Sequence, residues 1–134
     1  MKDVVQYLMD NYYAKYDGFR KDVIPTVDEL DRALCNYPDR LVVVQDAMRI
    51  NGVAIYLTLS DNTYNRLKDL DITQIDVIKE LLPEDGDNIH FVLLCAGDFS
   101  SILKGLKETI KKRNPKTVSW FSPDLKQLHR YKVG

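Results

Sequence analysis

Apolar residues recur at helical spacing from the start of the chain, at Val4, Val5, Leu8, Met9, Tyr12 and Tyr16. That period predicts an amphipathic helix from Asp3 to about Tyr16, ended by Asp17-Gly18. Thr26-Val27-Asp28-Glu29 has the Ser/Thr-x-x-Glu form of a reciprocal helix cap, so a second, short helix is expected with Leu30, Ala33 and Leu34 as its apolar stripe. The pattern then changes. Leu41-Val42-Val43-Val44-Gln45 and the run from Gly52 to Leu59 are apolar and β-branched without a helical period, and the six residues between them suit a hairpin.

From Asp61 to Asp87 the pattern is helical and polar again, with Leu67 and Leu70 in one segment and Ile75, Ile78, Leu81 and Leu82 in another. Thr73 is the expected N-cap of the second segment, and Pro83 to Asp87 is a turn. Ile89 to Cys95 reads as a buried strand, Ser101 to about Arg113 as a helix, and Lys116 to Phe121 as a further strand. A strand, a crossover helix and a strand make a parallel pair. The expected fold class is therefore α/β or α+β, with a mixed sheet: an antiparallel hairpin followed by a parallel strand-helix-strand unit, and helices on both faces.

A chain of 134 residues suits one domain, 1–134, and 45% hydrophobic with 29% charged residues is ordinary for a globular protein. The N-terminal segment carries acids and tyrosines with no uninterrupted apolar stretch, so neither a signal peptide nor a membrane span is expected, and a cytoplasmic location is the default. Cys35 and Cys95 stand far apart with no CxxC, and both are read as small buried hydrophobes rather than as disulfide or zinc ligands; no metal is expected.

Charge changes the picture. Residues 1 to 100 hold 10 Lys+Arg against 18 Asp+Glu, whereas residues 101 to 134 hold 9 against 2, a net +7 within a chain of net -1. The basic residues Lys104, Lys107, Lys111, Lys112, Arg113, Lys116, Lys126, Arg130 and Lys132 would suit phosphates. They come with no recognised nucleic-acid reading motif, so nucleic acid is not the expected partner and the solvated face of a Lys-rich helix is the plainer reading.

The junction Phe91 to Leu106, FVLLCAGDFSSILKGL, carries a strand directly into a helix, whose unpaired N-terminal amides and partial positive charge suit an anion. The element order, together with LVVVQDAMRINGVAIYLTLS at 41–60 and NPKTVSWFSPD at 114–124, resembles the Gcn5-related N-acetyltransferase (GNAT) family. Compact members encoded by phages and prophages are the nearest in pattern, and the resemblance covers residues 1 to 121 in outline. It implies acyl-CoA chemistry, with acetyl-CoA or another acyl-CoA as cofactor and a small-molecule or protein amine as acceptor. Its pyrophosphate would lie on backbone amides at the start of the long helix, which carries the cofactor role onto Cys95, Ala96, Gly97, Phe99, Ser100, Ser101 and Lys104. The family's loop has the form Gln/Arg-x-x-Gly-x-Gly/Ala. This chain departs from it, with one glycine, no Arg or Gln, and the carboxylate of Asp98 where phosphates would lie; Asp98 or Ser100 is suited to capping the helix.

Acyl transfer needs a base for the amine and an acid for the departing thiolate. In the family the acid is often a Tyr after the fifth strand. Here the chain ends in SPDLKQLHRYKVG, short of the family's closing elements, and His129 and Tyr131 are the residues there with suitable chemistry. For the base, Glu80, Glu84 and His90 are the candidates near the central strand, with no spacing that brings them together. Two readings follow: an acyl-CoA-dependent N-acyltransferase with a degenerate pyrophosphate loop, in which Lys104 and Lys107 replace the missing Arg, or a non-catalytic interaction or structural module of phage or prophage origin. In the second, the sheet edge at Thr117 to Phe121, bearing Trp120 and Phe121, would pair with a protein partner or a second copy.

Overall fold

The computed structural model describes residues 1–14, 25–72, 74–97, 99–122 and 126–133. Five strands form one sheet in sequence order: β1 (Leu41–Asp46), β2 (Arg49–Leu59), β3 (Asn88–Ala96), β4 (Thr117–Phe121) and β5 (Leu128–Lys132). The β3–β4 pair is parallel and the others are antiparallel. The helices are α1 (Lys2–Leu8), α2 (Val27–Leu34), α3 (Asp61–Asn65), α4 (Ile75–Leu81) and α5 (Phe99–Arg113). The mixed sheet, with its antiparallel hairpin and its parallel strand-helix-strand unit, is the fold class expected from the sequence.

Alternation along the strands divides the core in two. Val53, Ile55, Leu57 and Leu59 of β2 point to the face covered by α1, α2 and α4, where Leu8, Leu34, Ile78 and Leu82 meet them. Ala54 and Tyr56 of β2, Ile89 and Phe91 of β3 and Val118 of β4 point to the other face, under Ile102 and Leu106 of α5. Burying a large aliphatic side chain stabilises by about 1.5–3 kcal/mol, so the doubly covered β2 is the anchor of the sheet.

Local chemistry explains most boundaries. Thr26 caps α2 as expected: its hydroxyl accepts from the Glu29 amide at 3.2 Å, while the Glu29 carboxylate accepts from the Thr26 amide at 3.3 Å. Helix α1 runs on as a π-helical turn, Met9–Tyr13, whose wider winding buries the neighbours Tyr12 and Tyr13 together with their rings edge-on at 5.4 Å. Burial holds the Tyr13 phenol far above its ordinary range. The β1–β2 turn places Ala47 and Met48 at φ 48° and 70°, the left-handed pair that a two-residue hairpin demands. At Gly86 a Cβ would come within 2.1 Å of the Leu59 carbonyl, so only glycine lets this loop lie against β2.

Four expectations are corrected. First, the edge at Thr117–Phe121 is not open, because β5 pairs with it along its whole length, from Thr117↔Lys132 to Phe121↔Leu128. The closing strand replaces the exposed tail that the sequence suggested and removes the proposed partner-binding edge. Second, Cys35 is exposed and is no core residue, while Cys95 is half-buried and packs at the margin of the core. Third, α5 starts at Phe99, which puts Ser100 inside the helix rather than at its cap. Fourth, Gln74 occupies the N-cap position of α4 without a side-chain cap. The expected caps Thr73 and Asp98, like Tyr16 and Asp17-Gly18, lie outside the described residues.

Candidate functional site

The junction of β3 with α5 is built against the β1–β2 hairpin. Gly52 pairs with Ala96, and a Cβ on Gly52 would stand 3.2 Å from the Ala96 Cβ and 3.3 Å from Ile102 of α5. Its absence lets the first turn of α5 settle onto the hairpin. Beyond it, the Gly97 amide donates to the Asn51 carbonyl at 2.8 Å, and the Tyr7 hydroxyl donates to the same oxygen at 3.1 Å. Two donors on one carbonyl tie α1, the hairpin and the start of the helix together. Tyr7 also meets the Cys95 thiol; desolvation chiefly, and that neighbour next, raise its pKa.

The sheet opens at this end. β3 stays paired with β2 as far as Ala96, whereas its parallel pairing with β4 stops at Phe91↔Trp120. β4 then turns back through Ser122, whose amide donates to Gln127 at 2.7 Å, into β5. The two parallel strands therefore part, and the side of Val92–Ala96 that faces away from β2 has no strand partner among the described residues. β3 runs on past this point to Ala96, and α5 begins at Phe99.

The residues expected to hold a cofactor are brought together here. Cys95 and Ala96 form the last part of the parted strand, and Phe99, Ser100 and Ser101 form the first turn of α5, with Lys104 exposed one turn further on. Phe99 is 61% exposed, and the Gly97 amide is spent on Asn51. Lys107 is also exposed.

The residues expected to do acid–base work do not converge. Glu80 is exposed on α4, across the sheet from α5. Glu84 has a structural task, accepting from the Ser60 amide at 3.0 Å and from the Thr63 hydroxyl at the start of α3. His90 is fully buried in mid-sheet, its Nδ1 2.8 Å from the Ser119 hydroxyl and its ring edge-on to Phe121. Its Nε2 has no hydrogen-bond partner among the described residues. Burial, with a smaller contribution from Arg130, pushes its pKa down to about 3, so the ring is neutral at ordinary pH and out of reach of a substrate. Tyr131 is exposed on β5 and lies against Trp120.

Asp39 and Tyr56, which the sequence pattern did not single out, meet Arg113 of the basic segment in a further polar cluster. At the far end of α5, Arg113 donates through Nε to the Tyr56 hydroxyl at 2.7 Å and through Nη2 to Asp39 at 2.9 Å. Its guanidinium lies 5.2 Å from the centre of the Tyr56 ring, beside a cavity of about 460 Å³. Asp39 also pairs with the buried Arg40. Tyr7 and Asn51 were equally unmarked: neither belongs to a spacing motif, and only the approach of α1 to the hairpin brings them to the junction.

The chain matches no protein-family model and no curated protein. No helix among the described residues is long and apolar enough to cross a membrane.

Proposed function

We propose that this domain binds an acyl-CoA thioester in the wedge between β3 and β4 and acts as an acyl-CoA-dependent N-acyltransferase of GNAT type. One observation carries the reading: the parallel pairing stops at Phe91↔Trp120, while β3 runs on unpaired on that side to Ala96 and then leads into α5 at Phe99. A parted strand offers backbone donors and acceptors to an amide-containing arm, in the manner of an added strand. The helix start beyond it favours an anion, and exposed Lys104 adds charge there. In this reading Tyr7 of α1, whose raised pKa keeps its phenol protonated beside Cys95, would return a proton to the departing thiolate.

A second reading, the same fold without catalysis, is favoured by the failure of Glu80, His90 and Tyr131 to converge and by the Gly97 amide being spent on Asn51. Calorimetry with acetyl-CoA separates the two. Saturable binding, weakened about ten-fold by Lys104→Glu, a loss of about 1.4 kcal/mol, supports the cofactor site. Binding without acyl transfer to any of a panel of amines supports the non-catalytic reading. A flat titration at millimolar acetyl-CoA sinks both the site and the transferase.

A further inference from the structure

The β4–β5 hairpin carries a row of partly exposed aromatic rings. Register sets Trp120 directly opposite His129 and diagonal to Tyr131. The indole lies nearly parallel to both, 5.5 Å and 24° from His129 and 5.1 Å and 11° from Tyr131. Trp120 remains 37% exposed and Tyr131 57% exposed. Aromatic rings of this size usually pack inside or find a partner, and these are stacked on one another at the surface.

Their face is the one α5 occupies. Val118, two residues before Trp120 on the same side of β4, packs in the cluster of Ile102 and Leu106. The helix itself sits over β1 and β2: a Cβ on Gly105 would meet Val42 at 2.7 Å, and Thr109 and Lys112 line a cavity with Leu41. At about 100° per residue, Lys107 leaves the helix from the opposite flank, on the side of β4 and β5, and Lys111 follows one turn on, turned further toward solvent. Both are exposed. The exposed rings of β4 and β5 and the exposed lysines of α5 thus share one side of the sheet, in the part of the chain that holds the net +7.

From this geometry we infer that the α5-side face of the β4–β5 hairpin binds single-stranded nucleic acid, the bases stacking against the Trp120–Tyr131 rings and the phosphates lying along Lys107 and Lys111. Stacking on exposed rings beside a positive groove suits unpaired bases of any sequence, whereas a duplex keeps its base faces covered. The charge alone lacked a reading element; the ring row supplies it. This surface borders the acyl-CoA wedge at Trp120 and shares Lys107 with it, but Tyr131 belongs to it alone and its test is independent of Lys104.

Trp120 is the chain's single tryptophan, so its emission reports on the site directly. The full chain is titrated at low salt with oligothymidylate and oligouridylate on the order of 20 nucleotides long. Saturable quenching is expected, with affinity falling as salt rises; whichever oligomer binds tighter names DNA or RNA as the source. Tyr131→Ala should weaken binding roughly ten-fold, within the range for one lost stack, and Tyr131→Phe should restore it. Lys107→Glu with Lys111→Glu should weaken binding and flatten the salt dependence by about two phosphate contacts. The inference fails if a duplex of equal length quenches as strongly, if binding proceeds with unchanged emission, if Tyr131→Ala binds as the parent does, or if the emission shifts with protein concentration alone as a dimer sediments.

Discussion

His90 shows how one buried polar residue sets a property of the whole fold. It sits between Leu57 and Ser119 in the sheet with the neutral ring favoured, its folded pKa about 3 against an ordinary value of 6.5. Between those values the unfolded chain binds a proton that the folded chain refuses. Stability therefore rises with pH across this window, by up to about 1.4 kcal/mol per pH unit, and is lost as pH falls from 6.5 toward 3. Above pH 6.5 the residue contributes no pH dependence. In His90→Gln, which keeps a group able to bond Ser119 but does not titrate, urea unfolding at pH 7 and pH 4.5 should show a smaller acid loss than the parent by more than about 1 kcal/mol. Equal losses in both proteins would mean that His90 is already protonated in the folded state. The sequence offered His90 only as a histidine beside a strand; that it is interior and bonded to Ser119 follows from the parallel register, which pairing across 29 positions of sequence creates.

At the scale of elements, the legible ones were those whose pattern repeats locally. The apolar runs of β1, β2 and β3, the capping box at Thr26 and the period of α5 each state their structure within a dozen residues. β5 does not. Its sequence, Leu128-His129-Arg130-Tyr131-Lys132, has no aliphatic alternation, because as an edge strand it sends His129 and Tyr131 to the side of Trp120 and Arg130 and Lys132 to the other side. Arg130 instead lies 4.8 Å over the Tyr64 ring, a contact no local reading contains. The β1–β2 turn is a related case: its hairpin was legible from spacing, but its left-handed pair falls on Ala47 and fully exposed Met48 rather than on the Asn-Gly that such turns favour. Met48→Gly should therefore stabilise the fold by about 0.5–1 kcal/mol, since relief of a positive φ outweighs the entropy glycine adds to the unfolded chain. Thermal unfolding checks this; a lower Tm would show that the turn is not strained at Met48.

For the whole molecule, the sheet is asymmetric in how it is held. β2 is covered on both faces and paired on both edges, whereas β4 and β5 have α5 to one side of them and are joined to the acidic body by polar contacts. Lys116 reaches Asp61 at 2.9 Å, and Arg130 lies over Tyr64 with its Nη2 3.5 Å from that residue's carbonyl. These contacts are solvent-exposed, and exposed pairs of this kind stabilise little; β4 is held by its pairing with β3 and β5 and by buried Val118 and Ser119, and β5 supplies the pairing on its outer edge. Ending the chain after Ser122 should therefore act locally before it acts globally. The amides of Val118 to Trp120 that face β5 should exchange with solvent at least ten-fold faster, while those between β1 and β2 keep their protection, because local opening draws on the least-buried pairing first. An exposed β4 edge also invites strand pairing between copies, so the shortened chain should associate at concentrations where the parent stays monodisperse. Hydrogen exchange read by mass spectrometry decides the matter: unchanged protection at Val118 to Trp120 would mean that the β3–β4 pair and the cover of α5 hold the strand unaided, and that β5 is there chiefly to present Tyr131 and His129 beside Trp120.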